Sequence, residues 1–415
     1  MPKVSGVVKF FCLAAGTCGI LSAAGNQKAD LSRLVIVGDS LGAGFQNGQL
    51  IETSQVHGYA NVIATQAGVS LNLPLLPPPG YPQISLEQGF AVMTGFVPVP
   101  RSNTQQTFDV SVPGFSVGAL VGLRSTCPPD FTNPIDVMAV EILNPSCSAA
   151  PGPTELEEAA ALKPTTSILW VGANDVLFSL LFGIPPTDPA TFGGLYHIAA
   201  TTMASTSGHL VLANIPDVTL AAYLTSVPNL AAALNLPLLV VEGVFGLQPG
   251  DMVTPYAFAA IEAMGNNLTA LPDSGPQGPI VIRAAALSQI RADVLAYNAI
   301  IANEAAANGA TLVDIWSLVN DLAANGVEVG GQRLTTAFMG GLFSLDGAHP
   351  TNTGYALIAN EFIKTMNRTI QAGIPPISIE QVSKTDPLLP NNGHGNQNGH
   401  VSVGMADALR ALGRQ

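Results

Sequence analysis

The chain is short of charge, of cysteine and of tryptophan. Only 10% of its 415 residues are charged, and 15 lysines and arginines against 28 acidic residues give a net charge of −13. A chain this acidic repels a phosphate backbone, which excludes nucleic acid as an expected partner. The 2 tryptophans provide few aromatic platforms for sugar rings, and the hydrophobic fraction of 47% favours apolar ligands instead.

The N-terminus lacks an apolar run long enough to span a bilayer comfortably. Residues 10–21 are apolar, follow Lys3 and Lys9, and precede small residues at 22–24, which is the pattern of a signal peptide. We therefore expect residues 1–24 to be removed and the mature protein to be secreted, or exported to the periplasm or cell envelope. One alternative is a buried N-terminal helix. Another is a lipoprotein anchor on Cys18, which ranks below secretion because the preceding threonine fits such a cleavage site poorly.

Cysteine is nearly absent from the expected mature chain. Removal of the leader takes two of the 4 cysteines and leaves Cys127 and Cys147, both in a proline-rich connection. In an oxidising compartment this pair predicts a disulfide that closes a surface loop. Two unpaired thiols are the alternative.

Short apolar runs bounded by glycine, asparagine or aspartate recur along the chain. Each run is too short for a helix and too continuous for a half-exposed strand, so each predicts a parallel strand covered on both faces. The runs occupy residues 34–37, 108–112, 167–171, 210–213 and 311–314. Alanine-rich helical patterns are clearest at 284–308 and 354–366. The alternation predicts one α/β domain over residues 31–370, with reactive groups beyond the carboxyl ends of the strands.

Three stretches depart from this alternation. Residues 71–100 are rich in proline, which predicts an irregular loop. Residues 218–279 are a long insertion, expected to form a helical cap near the cleft, with packing remote from the cleft as the alternative. Residues 383–415 include a part rich in asparagine, glycine and histidine, which predicts a flexible C-terminal tail. The histidines of that tail are expected to be solvated rather than to bind a metal.

Ser40 follows the first predicted strand, in the segment Gly38-Asp39-Ser40-Leu41. The glycine permits a tight bend, and the helix that follows directs its N-terminus at the reacting centre. Residues 38–42 also fit the Gly-x-Ser-x-Gly elbow of a different fold, the α/β-hydrolases. Several strands precede the nucleophile in that fold, whereas one strand precedes it here, so the elbow is not favoured.

Asp346 and His349 lie three residues apart, just before a helix predicted to begin near Thr353. The spacing lets the carboxylate accept a hydrogen bond from one ring nitrogen while the other ring nitrogen faces a nucleophile. The pair therefore predicts a general base and the acid that orients it. A backbone carbonyl in place of Asp346 is the alternative orienting group.

Two further segments contain hydrogen-bond donors. Asn174, in Gly172-Ala173-Asn174-Asp175, follows a predicted strand and can donate from its side-chain amide. Gly114 follows the second predicted strand and can donate from its backbone N–H with no side chain to block a substrate oxygen. Together with the Ser40 N–H, these donors predict an oxyanion hole. Taken singly, the asparagine would be interpreted as part of an Asx turn and the glycine as a loop residue.

The four segments together resemble those of the SGNH hydrolase family, also called GDSL esterases and lipases. Its blocks I, II, III and V match residues 38–41, Gly114, residues 172–175 and residues 346–349. The resemblance covers most of residues 34–366. It implies a three-layer α/β/α flavodoxin-like sandwich around a five-stranded parallel sheet, with a helical insertion at 218–279, and neither a cofactor nor a metal.

These residues predict a secreted serine ester hydrolase that works through an acyl-enzyme, with Ser40 as nucleophile, His349 as base and Asp346 as its orienting acid. The apolar composition favours acyl or lipid esters as substrates, with association with a membrane surface as a further expectation. The insertion is expected to influence the choice of ester. A carbohydrate O-deacetylase, a thioesterase or lysophospholipase, and a non-catalytic surface protein are the alternatives. The sequence leaves the oligomeric state open.

Overall fold

The computed structural model describes residues 28–87, 90–95, 97–103, 105–392 and 401. The expected signal peptide, Cys18 and most of the C-terminal tail lie outside these residues. Strands occupy Leu34–Gly38 (β1), Gln83–Glu87 (β2), Phe90–Gly95 (β3), Thr166–Trp170 (β4), His209–Ala213 (β5), Thr225–Ser226 (β6), Met252–Val253 (β7), Ser274–Gly275 (β8), Gly278–Pro279 (β9), Val281–Ile282 (β10), Thr311–Val313 (β11), Val327–Val329 (β12) and Gln332–Leu334 (β13).

Helices connect and cover these strands. They occupy Ser40–Ala43 (α1), Glu52–Gln55 (α2), Tyr59–Ala67 (α3), Val117–Gly122 (α4), Pro134–Leu143 (α5), Glu155–Ala161 (α6), Asn174–Phe182 (α7), Pro189–Thr206 (α8), Val227–Leu234 (α9), Leu238–Phe245 (α10), Tyr256–Met264 (α11), Ala284–Ala307 (α12), Ile315–Asn325 (α13), Asn352–Ile370 (α14) and Ile379–Thr385 (α15). Short 3₁₀ turns occupy Val218–Leu220 and Pro390–Asn392.

The central sheet is parallel, with the strand order β1-β4-β5-β11. Alternate side chains of each strand face opposite helical layers, because successive residues of a strand point to opposite sides. Val35 and Leu169 join a core cluster with α8 and α12, whereas Ile36 and Trp170 join a second cluster with α3 and α14. The predicted three-layer α/β/α sandwich is therefore confirmed.

The second predicted strand, at 108–112, is reduced to a single parallel β-bridge between Ile36 and Asp109. Three backbone hydrogen bonds still hold this segment beside β1, from Ile36 N to Phe108 O (2.8 Å), Val110 N to Ile36 O (3.0 Å) and Val112 N to Gly38 O (3.1 Å). The five segments thus keep the flavodoxin-like spatial order 2-1-3-4-5. The expected five-stranded sheet is corrected to four strands with one weakly paired edge segment.

The hydrogen bonding between β1 and this segment is interrupted because a side chain accepts one of the backbone N–H groups. A regular parallel ladder would continue with a bond from the Gly38 N–H to the carbonyl of Val110. The Gly38 N–H instead donates to the carboxyl of Glu155 at 2.6 Å. On the outer side of the segment, the Ser111 N–H donates to the Asp109 side chain at 3.1 Å. The Glu155 side chain has therefore replaced one backbone bond between β1 and this segment, and the Asp109 side chain occupies a backbone donor on its outer side.

The insertion at 218–279 contains α9, α10 and α11 together with short strands, as the helical prediction required. Strand β7 pairs with β6 and with β10, which closes the insertion back onto the start of α12. Its corner between α9 and α10 exposes Leu238, Leu239 and Val240, and Leu239 is 80% exposed. Among the described residues no single helix has the length and apolar composition of a membrane span. Helices α9 and α10 have that length and composition only when they are taken together, and they are bent by 106° relative to each other.

Two boundaries from the sequence need correction. The proline-rich stretch 71–100 is not entirely irregular, because β2 and β3 form an antiparallel hairpin in its proline-free part. The flexible tail cannot begin at Ser383, since that residue is buried within α15 and Leu389 is fully buried. Asp386 also accepts hydrogen bonds from the backbone N–H (2.8 Å) and hydroxyl (2.7 Å) of Thr353, which anchors this stretch to the first turn of α14.

Cys127 and Cys147 form a disulfide with a Cα–Cα distance of 5.6 Å, which confirms the predicted pairing. The two cysteines flank α5 in the sequence, so the bond closes the connection that contains this helix. Asn144 Nδ2 donates to Cys127 Sγ at 3.3 Å and to the carbonyl of Ala149 at 2.8 Å.

Candidate active site

Ser40 is the first residue of α1 and follows β1 after a single intervening residue. That residue, Asp39, caps the helix, because its side chain accepts a hydrogen bond from the Leu41 N–H at 2.9 Å. Gly38 is required before it, since a Cβ at this position would overlap the carbonyl oxygen of Trp170 in β4. The strand end and the helix start thus hold Ser40 at the carboxyl edge of the sheet.

A chain of hydrogen bonds joins Ser40, His349 and Asp346. Ser40 Oγ lies 2.7 Å from His349 Nε2, and His349 Nδ1 lies 2.9 Å from Asp346 Oδ2. All three residues are buried, and Phe45 packs against the imidazole with ring centroids 4.7 Å apart. The structure therefore places the three residues in the geometry of a nucleophile, a base and an orienting acid.

Asp346 is held as a carboxylate. Its Oδ1 accepts hydrogen bonds from the backbone N–H groups of Ala348 (2.9 Å) and His349 (2.8 Å), and its Oδ2 accepts one from Gly48 (2.8 Å). Burial raises the pKa of this carboxyl, but His349 and the backbone N–H groups outweigh that effect and hold the pKa below its ordinary value. A negative charge is thus available to orient and stabilise a protonated imidazole.

Asn174 begins α7 directly after the turn that follows β4. Its Nδ2 donates to the carbonyl of Phe115 at 2.9 Å, and the neighbouring Asp175 accepts from the Val117 N–H at 2.9 Å. These bonds fasten the start of α7 to the loop that contains Gly114. The second hydrogen of the Asn174 amide remains for a ligand in the cleft.

Gly114 has a backbone φ of +85°, a conformation that side chains other than glycine adopt rarely. Gly114 immediately precedes Phe115, whose carbonyl accepts the hydrogen bond from Asn174. This bond keeps the Gly114 loop next to the start of α7. The cavity beside Ser40 is lined by Asn174 but not by Gly114. The structure thus brings Ser40, Asn174 and His349 to one cleft and places Gly114 in the adjoining loop.

Buried acids surround the nucleophile turn. Burial raises the pKa of Asp39 to about 7, and burial likewise raises the pKa of Asp109 to about 7 and that of Asp175 to about 6. Burial also raises the pKa of Glu155 well above its ordinary value. Sequence reasoning missed Glu155 as a site residue, because a glutamate in the first turn of a helix is usually exposed and only its contacts distinguish it.

A cavity of about 100 Å³ opens beside Ser40 and His349. Its walls are mainly apolar and come from both sides of the cleft. The apolar lining residues are Leu41, Trp170, Ala173, Leu177, Pro216, Val218, Ala221, Ile315, Val319, Leu322, Leu342, Phe343, Ala348, Pro350 and Ile358. An apolar group attached to a carbonyl at Ser40 would be removed from water here. Within the described part of the chain, no group of three or more His, Cys, Asp or Glu side chains could hold a metal ion.

Comparison with known proteins identifies a family for this chain. Residues 34–362 match the model of the family described as GDSL-like lipase/acylhydrolase. A search of curated protein sequences found no match.

Several solved structures resemble the chain at low sequence identity. A variant of an acetyl xylan esterase from Geobacillus stearothermophilus is 13% identical, with a TM-score of 0.39 over 85% of this chain and 99% of that one. An alpha/beta hydrolase enzyme from the metagenome of Lake Arreo, Spain, is 13% identical, with a TM-score of 0.37 over 83% and 97%. A lipase/acylhydrolase from Enterococcus faecalis is 12% identical, with a TM-score of 0.35 over 83% and 98%.

Proposed function

The chain belongs to the GDSL-like lipase/acylhydrolase family and is a carboxylic ester hydrolase, and from that premise we propose that it cleaves esters of apolar acyl chains through an acyl-enzyme on Ser40. One observation carries the proposal: the hydrogen-bonded chain from Ser40 to His349 to Asp346 opens into an apolar cavity. The first part of that observation supports the chemistry. The second supports the class of substrate.

The geometry of the site supports the following acylation step. His349 Nε2, 2.7 Å from Ser40 Oγ, removes the hydroxyl proton as the oxygen attacks the ester carbonyl. The substrate oxygen becomes negatively charged and is stabilised by the Ser40 N–H, the Gly114 N–H and the Asn174 amide. The imidazolium that forms is stabilised by Asp346, whose carboxylate is already charged. His349 then donates the proton to the leaving alcohol.

Deacylation repeats these steps with water. His349 removes a proton from a water molecule as it attacks the acyl-enzyme carbonyl, the same donors stabilise the oxyanion, and Ser40 leaves as its proton returns from the imidazolium. The products are a carboxylic acid and the free enzyme.

The cavity supports an acyl group longer than acetyl. Ile315, Val319 and Leu322 lie on successive turns of α13 and form one wall, and Leu342 and Ile358 complete it. Each methylene group that the cavity removes from water contributes about 0.8 kcal/mol. At about 1.4 kcal/mol per tenfold change, this predicts an increase in kcat/KM of up to about fourfold per added methylene until the cavity is full.

A series of p-nitrophenyl esters from acetate to dodecanoate tests both parts of the proposal. The wild-type protein should prefer intermediate or long chains, and Ser40→Ala should abolish turnover of every ester. A preference confined to acetate would contradict the acyl-chain proposal and favour carbohydrate O-deacetylation, which acetate release from acetylated polysaccharide would measure. Full activity of Ser40→Ala would contradict the assignment of the nucleophile.

A substitution in α13 tests where the acyl chain binds. Val319→Trp fills the cavity and should lower kcat/KM for decanoate relative to butyrate by about tenfold, the loss of between one and two buried methylene groups. Ala324→Trp introduces the same side chain at an exposed position of the same helix and is the matched control. If both variants keep the wild-type ratio of decanoate to butyrate, the acyl chain does not bind along α13.

We also propose that the mature protein is exported. The disulfide between Cys127 and Cys147 supports export, because such bonds persist mainly in oxidising compartments. Mass spectrometry of the protein from its producing cells should find an N-terminus near residue 25. A diacylglycerol adduct on Cys18 would favour the lipid-anchored alternative, and an intact N-terminus would contradict export.

A further inference from the structure

Glu155 occupies an unusual place for a first-turn glutamate. It begins α6, yet it is fully buried. The helix does not need it as a cap, because Thr154 and Glu157 form a reciprocal capping box. The Glu155 side chain instead extends into the central sheet, where its Oε1 accepts a hydrogen bond from the Gly38 N–H at 2.6 Å.

The contact lies where two functional segments separate. Gly38 is the last residue of β1 and stands two positions before Ser40, and its carbonyl accepts the Val112 N–H at 3.1 Å. Val112 in turn stands two positions before Gly114. The Val112 N–H is also close enough to Glu155 to lower the pKa of its carboxyl. The Glu155 carboxyl thus lies between the segment that leads to the nucleophile and the segment that leads to an oxyanion donor.

The Glu155 contact takes the place of a backbone hydrogen bond of the sheet. In place of the Val110 carbonyl, which a regular ladder would offer to Gly38, the carboxyl of a third element accepts the bond. Beyond this point β1 turns into α1, while the 108–112 segment turns away towards α4. We propose that Glu155 is a positioning residue that fixes the separation between the Ser40 turn and the Gly114 loop by replacing one rung of the sheet.

The environment of Glu155 favours the neutral acid. Burial raises its pKa most, and the nearby Asp39 and Asp109 carboxyls raise it further, while the Gly38 hydrogen bond partly opposes these effects. A neutral carboxyl and a carboxamide have the same shape and both offer one carbonyl oxygen as acceptor. Glutamine should therefore keep the acceptor for the Gly38 N–H and preserve kcat, whereas an apolar or shorter side chain should not.

The expected effect is on turnover rather than on substrate binding. Glu155 does not line the cavity, so it makes no contact with a substrate there. The distance between nucleophile and oxyanion donor matters most in the transition state, and a displacement of about 1 Å commonly costs about 10²-fold. The inference rests on the proposed function, because it assumes that Ser40 attacks and that Gly114 stabilises the oxyanion.

Four variants test this role. Glu155→Met removes the acceptor at nearly constant volume, Glu155→Asp withdraws it by one methylene, and Glu155→Gln keeps it. Leu156→Ala is the matched control. Leu156 is the next residue of the same helix and is buried in the core, so its truncation should destabilise the fold without removing the acceptor for the Gly38 N–H. Steady-state kinetics with p-nitrophenyl butyrate, the rate of inactivation by a fluorophosphonate and the unfolding temperature are measured for each.

We expect kcat to fall about 30- to 100-fold in Glu155→Met and Glu155→Asp, with KM within about twofold, and inactivation to slow in parallel. Glu155→Gln should stay within about threefold of the wild type, and so should Leu156→Ala although its unfolding temperature falls. This pattern separates positioning from stability, because loss of stability alone would not spare Leu156→Ala.

Two results would overturn the inference. Either Glu155→Asp and any folded Glu155→Met keep kcat within about threefold of the wild type, or Glu155→Gln loses as much kcat as they do. Should Glu155→Met fail to fold, Glu155→Asp against Glu155→Gln still decides. A wild-type protein that neither hydrolyses esters nor reacts with the fluorophosphonate would instead overturn the proposed function, and this inference with it.

Discussion

Replacing Asp346 by asparagine is the most informative single change in the site, because four donors converge on this carboxylate. Its Oδ1 accepts from the N–H groups of Ala348 and His349, and its Oδ2 accepts from the Gly48 N–H and from the His349 ring. Asparagine has one oxygen and one NH₂ group in their place. The asparagine side chain should place its oxygen at the Oδ1 position, because the oxygen then keeps both backbone hydrogen bonds there. Its NH₂ group then faces the His349 ring and the Gly48 N–H.

That orientation changes the tautomer of His349. The asparagine NH₂ donates to Nδ1, so the ring proton must reside on Nε2, the atom that faces Ser40 at 2.7 Å. Nε2 can then no longer accept the Ser40 proton. In the serine protease triad, the equivalent change lowers kcat by about 10⁴. At 1.36 kcal/mol per tenfold change, this corresponds to about 5.4 kcal/mol of lost transition-state stabilisation.

The same change should also destabilise the fold. The Gly48 N–H loses its acceptor, which costs about 1–3 kcal/mol when the donor is buried. The lowered pKa of Asp346 adds a pH dependence, because its contribution to stability is present above the unfolded pKa near 3.8 and is lost as the pH falls through the lower folded value. Asp346→Asn should therefore lose stability at pH 7 and show less further loss in acid than the wild type.

The assay is steady-state hydrolysis of p-nitrophenyl butyrate at pH 7.5 or thereabouts, with circular dichroism and thermal unfolding to establish that the variant is folded. We expect kcat of Asp346→Asn to be about 10³- to 10⁴-fold below the wild type. A folded variant that keeps more than about a tenth of the wild-type kcat would refute the reasoning, since a tautomer that cannot accept a proton cannot sustain that rate. In that case a different group orients His349.

Three further predictions concern other parts of the molecule. Asn174→Ala removes an oxyanion donor and its bond to the Phe115 carbonyl, so kcat should fall about 10²- to 10³-fold in steady-state assays with little change in KM. Burial raises the pKa of Asp109 from 3.8 to about 7, so the folded protein binds a proton that the unfolded chain releases. Stability should therefore fall as the pH rises from 4 to 8, and Asp109→Asn should weaken that fall in thermal unfolding curves. Reduction of the disulfide frees a loop with a sequence separation of 20 residues, and urea unfolding should show a loss of about 3 kcal/mol.

The sequence predicted the central sheet because its strands are encoded locally. The runs at β1, β4, β5 and β11 are continuous, apolar and bounded by turn residues, which is what strands covered on both faces require. The turns that follow these strands carry short polar segments, and parallel strands end at one edge of a sheet. The convergence of Ser40, Asn174 and His349 on one cleft was predictable for that reason.

The remaining features depend on contacts between distant residues. The reduced strand at 108–112 lacks the bond that the Gly38 N–H gives to Glu155 instead, and Glu155 lies 117 positions from Gly38 and carries no local signal of this contact. The predicted start of the flexible tail at residue 383 was wrong for the same reason, because Asp386 is bound by Thr353, which lies 33 positions earlier. Periodicity and composition describe what a segment can form by itself. The reduced strand and the ordered start of the tail depend instead on hydrogen bonds between buried polar groups that are distant in the sequence.

The choice of ester should follow α13 rather than the insertion. The sequence pointed to residues 218–279, because they lie outside the core that the family shares, yet only Val218 and Ala221 of that stretch line the cavity. Much of the apolar wall comes from α13 and from the chain that follows it, as far as the first two turns of α14. An acyl chain bound at Ser40 gains its free energy from the apolar surface it covers. Substitutions along α13 should therefore change the preferred chain length, while changes at the exposed corner between α9 and α10 should leave it unaltered.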